Sequence, residues 1–153
     1  MLRHPSLIPL SHQHQHGLAL CVQIERQLAA GRAPERTAAL ARRVADAYQL
    51  ELRNHFDVEE RILFPALRAQ PALLPIVEEL IGDHRALEAL IAGVAAAADH
   101  DRPEVLAEFT ARLSRHIRRE ERELFEEMQK LLPAEVLEKL GCEIDGAVVR
   151  VCL

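Results

Sequence analysis

The chain has 153 residues, 49% apolar and 28% charged, which is the size and balance of one soluble globular domain with a real core. The net charge is −5 and the acids and bases are interspersed, so no basic stripe offers itself to nucleic acid. Aromatics are only 3%, so the core falls to Leu, Ile, Val and Ala, which with the Glu and Arg content favour helix.

The first ten residues read as an N-terminal segment with two prolines and no apolar stretch of the kind a secretory signal needs. Helix one is predicted from Ser11, a good N-cap, to about Ala30, with Leu18, Cys21, Ile24 and Leu28 on one face. Gly31 stops it. Helix two is predicted from Pro34 to Phe64 on a stripe of Leu40, Val44, Tyr48, Leu52, His55, Glu59 and Ile62. Pro65, Pro71 and Pro75 punctuate a connection.

Helix three runs from Pro75 to near Asp99, with Val77, Leu80, His84, Leu87 or Glu88, and Ile91 on its stripe. Its apolar stretch, residues 89–98, is too short to span a bilayer. Helix four runs from Pro103 to about Leu132, with Leu106, Phe109, Leu113, His116, Glu120 and Leu124 inward. A short helix from Ala134 to Leu140, ended by Gly141, and an apolar tail, residues 147–153, make up a C-terminal extension over 133–153. The tail suits three placements: docked on the bundle, paired as a strand, or in an interface with a second copy or a partner protein. The expected fold is all-α, an up-down-up-down four-helix bundle over residues 11–132.

Cys21, Cys142 and Cys152 are odd in number and far apart, which excludes a disulfide framework and a zinc ribbon and fits a reducing compartment, with the cytoplasm as expected location.

One sentence of ten residues occurs twice. His55-Phe-Asp-Val-Glu59-Glu60-Arg-Ile-Leu-Phe64 matches His116-Ile-Arg-Arg-Glu120-Glu121-Arg-Glu-Leu-Phe125 at six positions. Each copy sets a histidine four residues before a glutamate, on one helix face. Helix one also aligns with helix three, Leu10-Ser-His-Gln-His14 with Leu80-Ile-Gly-Asp-His84, so an approximate two-fold relation is expected. Four histidines then lie on four apolar stripes: His14, His55, His84 and His116. Three have a glutamate four residues on: Glu59, Glu88 and Glu120. Charged side chains are seldom buried unless paired or bound to metal, and seven such donors exceed one tetrahedral zinc site. Imidazoles with carboxylates suit iron, and manganese or zinc less well at this count.

Some positions leave a choice. His12, His14 and His16 alternate, and residues two apart on a helix point about 200° apart, so they cannot all reach one site. His14 shares the face of Leu18 and Cys21 and is preferred; His12 and His16 read as exposed, with a surface metal site or a supporting role as the alternative. Glu121 is the alternate to Glu120, and Glu60 reads as an outer-face charge. Tyr48 and Cys21 read first as packing residues, and His4 and His100 as loop residues.

The doubled His-x-x-x-Glu-Glu-x-x-Leu-Phe motif and the third-helix His84 resemble the hemerythrin-like, HHE cation-binding domain over about residues 10–132. The order and spacing differ from the Glu-x-x-His of ferritin-like di-iron bundles. The resemblance implies a non-haem di-iron centre, Glu59 and Glu120 bridging, histidines as terminal ligands, and a protein that binds or responds to O2 or a related small molecule or peroxide as sensor, store or scavenger. Oxygen carriers of that family use five histidines with His-x-x-x-His on the third helix; Glu88 stands where the second would be. A more carboxylate-rich set makes oxidase, peroxidase, nitric oxide or iron-handling chemistry the alternative, and a redox- or iron-sensing interaction module the third reading. No acid–base or nucleophile motif points to an enzyme, and no membrane partner is expected.

Overall fold

The computed structural model describes residues 2–151. Four long helices form the body: α1 Ile8–Ala30, α2 over residues 34–66, α3 Leu74–Ala96 and α4 over residues 102–131. A fifth, α5, covers Ala134–Ala147. No strand occurs among the described residues.

Two boundaries differ from expectation, one for a local reason and one for a tertiary contact. Ser11 is not the N-cap of α1. A single 3-10 turn, Pro5–Leu7, leads straight into a helix that starts at Ile8, with Pro9 in the first turn, where its missing N–H costs nothing. The chain leaves α1 at Gly31, whose φ of 156° and ψ of 154° suit a residue without Cβ. Gly141 does not end α5, which continues to Ala147. A Cβ at Gly141 would lie 2.4 Å from Ser6 Oγ and 2.8 Å from Ser6 Cα. The glycine therefore serves a close approach of α5 to the N-terminal turn, and not a helix stop.

The core is cut in two by a polar band. Leu7, Leu10, Leu63, Phe64, Leu80, Phe125 and Met128 pack at one end, covered by Leu137, Leu140 and Ile144 of α5. Leu20, Ile24, Val44, Leu87, Leu106, Phe109 and Leu113 pack at the other. On each long helix one or two buried His or Glu residues sit between the two clusters.

α2 and α4 are not uniform. Within α2, Tyr48–Leu52 and Glu59–Leu63 are π turns; within α4, Glu120–Leu124 is one. Their cause is legible in the cadence of the inward residues. Leu40, Val44, Tyr48 and Leu52 recur every four residues, as do His55, Glu59 and Leu63, and His116, Glu120, Leu124 and Met128. In an α-helix each four-residue step overshoots by about 40°, so three steps carry the stripe about 120° off its face. A π turn takes up roughly one residue and restores it.

The C-terminal segment is docked on the bundle as far as it is described. Asn54 Nδ2 donates to Ala147 O at 3.0 Å, Val149 N donates to Asn54 Oδ1 at 2.8 Å, and Gln13 Nε2 donates to Val149 O at 3.2 Å. Cys152 and Leu153, the end of the expected tail, lie outside the described residues.

Candidate metal centre

Six of the seven expected donors converge in the polar band: His14, His55, Glu59, His84, His116 and Glu120, each between 0 and 2% exposed. They form two groups, His14–His55–Glu59–Glu120 and Glu59–His84–His116–Glu120, with the two carboxylates common to both. Every histidine points Nε2 inward. His14 Nε2 lies 3.1 Å from Glu120 Oε2 and 3.8 Å from Glu59 Oε1; His55 Nε2 lies 3.2 Å from Glu59 Oε1. Across the band, His84 Nε2 lies 3.1 Å from Glu59 Oε2 and His116 Nε2 lies 3.3 Å from Glu120 Oε2. Glu59 thus turns one oxygen to each half of the molecule, and Glu120 Oε2 faces a histidine from each.

Glu88 is the seventh and is not brought in. The stripe position after His84 is taken by Leu87, three residues on and fully buried. Glu88 falls to the flank, where it accepts from Arg85 Nη1 at 2.7 Å and faces Tyr48. Tyr48, half-buried, is therefore a neighbour of Glu88 and not of the centre.

The outward nitrogens are anchored too. His14 Nδ1 contacts Glu121 Oε1 at 2.6 Å, His84 Nδ1 contacts Glu60 Oε1 at 2.8 Å, and His55 Nδ1 contacts Gln13 Oε1 at 2.9 Å. His116 Nδ1 has Asp83 Oδ2 at 3.7 Å, an ion-pair distance and too long for a hydrogen bond. An Nδ1–H given to an outer oxygen leaves the Nε2 lone pair facing in, which is the tautomer a metal requires. The carboxylates are themselves held. Arg3 Nη2 and Ser11 Oγ each donate to Glu121 at 2.6 Å, Arg85 donates to Glu60, and Arg112 Nη1 donates to Asp83 at 2.8 Å.

Sequence reasoning places Glu60 on the outer face and keeps Glu121 only as an alternate ligand. In the structure the second glutamate of each copy plays one and the same part. Glu60 of α2 holds His84 of α3, and Glu121 of α4 holds His14 of α1, each by Nδ1. Gln13 and Asp83 escape the sequence reading, although each immediately precedes an inward histidine. Aromatic rings complete the walls. Phe56 stacks on His84 with centroids 4.2 Å apart, and Phe125 stacks on His14 at 5.5 Å.

Electrostatics show what the cluster lacks. Both oxygens of Glu59 and Glu120, His84 Nε2 and both ring nitrogens of His116 are buried without a hydrogen-bond partner. Moving an unpaired ion into such a place costs several kcal/mol. Burial raises the Glu59 pKa, yet His55, His14 and His84 outweigh it and hold the carboxyl well below its usual range. His55 is pushed down to about 3 by burial, against the pull of Glu59. His84 is lowered by burial, but Glu59, Glu120 and Glu60 more than offset this and bring it to about 9. His14 too is raised, burial being outweighed by Glu120, Glu121 and Glu59. His14 Nε2 and His55 Nε2 stand 3.0 Å apart, so only one carries a proton, and these shifts put it on His14. Burial also raises Glu121, and its bonds from His14 and Ser11 bring it down to about 2. Protons thus partly neutralise two shared carboxylates that a cation would neutralise fully. Four imidazoles and two orphaned carboxylates, converging from four helices, form two overlapping donor groups that could hold a borderline metal ion.

No helix among the described residues is long and apolar enough to cross a membrane. A comparison with curated proteins and one with solved structures each give no match. A comparison with family models matches residues 9–128 to the hemerythrin HHE cation binding domain.

Proposed function

The chain belongs to the hemerythrin HHE cation-binding domain family, a membership that implies metal-cation binding, and on that footing we propose that it holds two iron ions per chain and binds or responds to O2 or a related small molecule. One observation carries this: two donor groups, each of two imidazoles, share the same two buried carboxylates. Two-histidine sets with carboxylates suit iron that keeps open positions. Glu59 and Glu120 are the residues placed to serve both ions, with His14 and His55 toward one and His84 and His116 toward the other.

Bound iron would supply the change of oxidation state and the point of attachment for a small ligand. The protein's own part is to fix the donors and to keep the site dry. Glu121, Gln13, Glu60 and Asp83 face the outward ring nitrogens, and Phe56, Phe64 and Phe125 pack against the rings. The apolar clusters above and below exclude water. A small diatomic molecule fits such a surrounding better than a charged substrate.

The test is anaerobic reconstitution followed by metal analysis and visible spectra with and without air. Uptake of about two irons per chain with an air-dependent band supports the reading. A folded protein that takes up no iron sinks it. A second reading, redox turnover of peroxide or nitric oxide, draws on the same donors. It is favoured by having four histidines, not five, beside two hard carboxylates, a balance that stabilises ferric iron. Steady consumption of peroxide under reductant, in place of reversible oxygenation, would establish it. The odd number and wide spacing of the cysteines support a reducing, cytoplasmic location.

A further inference from the structure

His16 and Glu51 have no part in the centre just described, yet they are built like a site. Glu51 is only 7% exposed, and both its oxygens face one group: His16 Nδ1 lies 3.0 Å from Oε1 and 2.9 Å from Oε2. Both residues line a cavity of about 570 Å³ between α1, α2 and the docked C-terminal segment. His12, exposed and one turn before His16 on the same face of α1, lines it as well.

The cavity ends one side chain short of the centre. Gln13 is part of its wall, and the same Gln13 accepts from His55 Nδ1 at 2.9 Å. His16 lies three residues beyond Gln13 on α1, and Glu51 lies four before His55 on α2. Glu51 therefore sits one turn outward from the inner donor His55 on α2, and His16 sits one turn beyond His55's support, Gln13, on α1. α2 carries Glu51, His55 and Glu59 at intervals of four, a ladder of cation donors from cavity to core.

The pseudo-repeat shows that the bundle does not need this pair. The positions equivalent to His16 and Glu51 in the second half are Ala86 and Arg112, and Arg112 is tied to Asp83 within the bundle. A buried carboxylate facing imidazole at the floor of a cavity, present in one half only, calls for a reason beyond packing.

We propose that His16 and Glu51, with His12 able to swing in as a third donor, form a separate divalent transition-cation site at the mouth of a route to the central donors. Imidazole with carboxylate is the donor set for such a cation. The site receives a cation from solvent, and His55 lies one side chain, Gln13, further in. The transit role rests on the reading of the centre as a metal pair; the outer site itself does not.

Co2+ is the probe, followed by its visible absorption and by calorimetry on the full chain. The expected result is about three Co2+ bound to the unaltered protein and about two to His16→Ala or to the near-isosteric Glu51→Gln. Central loading at limiting Co2+ should be about tenfold slower in both variants, as expected when a charged cleft loses its attraction. A form with Glu59→Gln and Glu120→Gln together should still take up one Co2+, and adding His16→Ala should remove it. That last pair of measurements stands whether or not the centre binds metal. Unchanged stoichiometry and unchanged loading in both single variants overturn the site, because a mere His16–Glu51 ion pair would give that result. A lost Co2+ with unchanged loading overturns the route.

Discussion

The two halves of the bundle, α1 with α2 and α3 with α4, present the same inward set and differ in what stands behind His55 and His116. Facing in, His14 matches His84, His55 matches His116, and Glu59 matches Glu120. Facing out, His55 leans on the neutral Gln13, which is held by the C-terminal segment, while His116 faces the anionic Asp83, which is held by Arg112. The donors obey the repeat, as do the glutamates behind His14 and His84; the supports of His55 and His116 do not. Two donor groups of like composition therefore stand in unlike electrostatic surroundings. The first is preorganised by a hydrogen bond already made. The second has a stronger, charged acceptor still short of contact.

The largest effect should come from what the halves share. Glu59→Ala removes a carboxylate that faces both sides, so metal analysis should show loss of both ions; retention of one would mean that Glu59 serves one half alone. Next come residues that belong to one half. His55→Ala and His116→Ala should each remove at least half of the bound metal. If the halves are independent, each variant should keep one ion, and unequal losses would show which half loads first.

Smaller changes are expected from the supports. Gln13→Ala and Asp83→Ala should each weaken metal binding by about 10- to 100-fold, the usual cost of losing an outer partner of a ligating histidine. Calorimetric titration of both measures the asymmetry directly, and equal losses would erase it.

The metal-free protein should show a pH signature from His84, to which His14, raised as well, adds in the same direction. The folded-state pKa of His84 is about 9 against an ordinary 6.5. Its proton thus contributes stability that is fully present below 6.5 and is lost as pH rises through 9. Denaturant midpoints should fall across that window without metal, and the fall should vanish when metal replaces the proton. The smallest effect belongs to Glu88→Ala, which should leave metal content unchanged, since Glu88 pairs with Arg85 at the flank.

The helices and the six converging donors are legible in the sequence because apolar periodicity and the doubled motif report the same buried faces. Glu88 misleads because three- and four-residue steps from His84 both point roughly inward, and only packing selects Leu87. The start of α1 is misplaced because Ser11 suits an N-cap, whereas the helix already begins at Ile8 with Pro9 accepted in its first turn. Gly141 looks like a stop because its close contact with Ser6 joins opposite ends of the chain. Gln13, Asp83, Glu60 and Glu121 are hidden for a related reason: whom they touch depends on how neighbouring helices are rotated, which one helix's pattern does not contain. The π turns are readable in principle, from the unbroken four-residue cadence.

Those π turns have a consequence for tolerance to changes in chain length. A π turn is an α-helix that has absorbed one surplus residue. Deleting Arg122 from the Glu120–Leu124 turn should let the segment relax to ordinary α geometry, with Phe125 and Met128 keeping their places. Deleting Ala111 from the regular stretch of the same helix has no such slack. It should swing everything on one side of it by about 100° and take half of α4 out of register with the core. In this molecule the three π turns, at Tyr48–Leu52, Glu59–Leu63 and Glu120–Leu124, are the places where the chain can lose a residue and still keep its ends aligned.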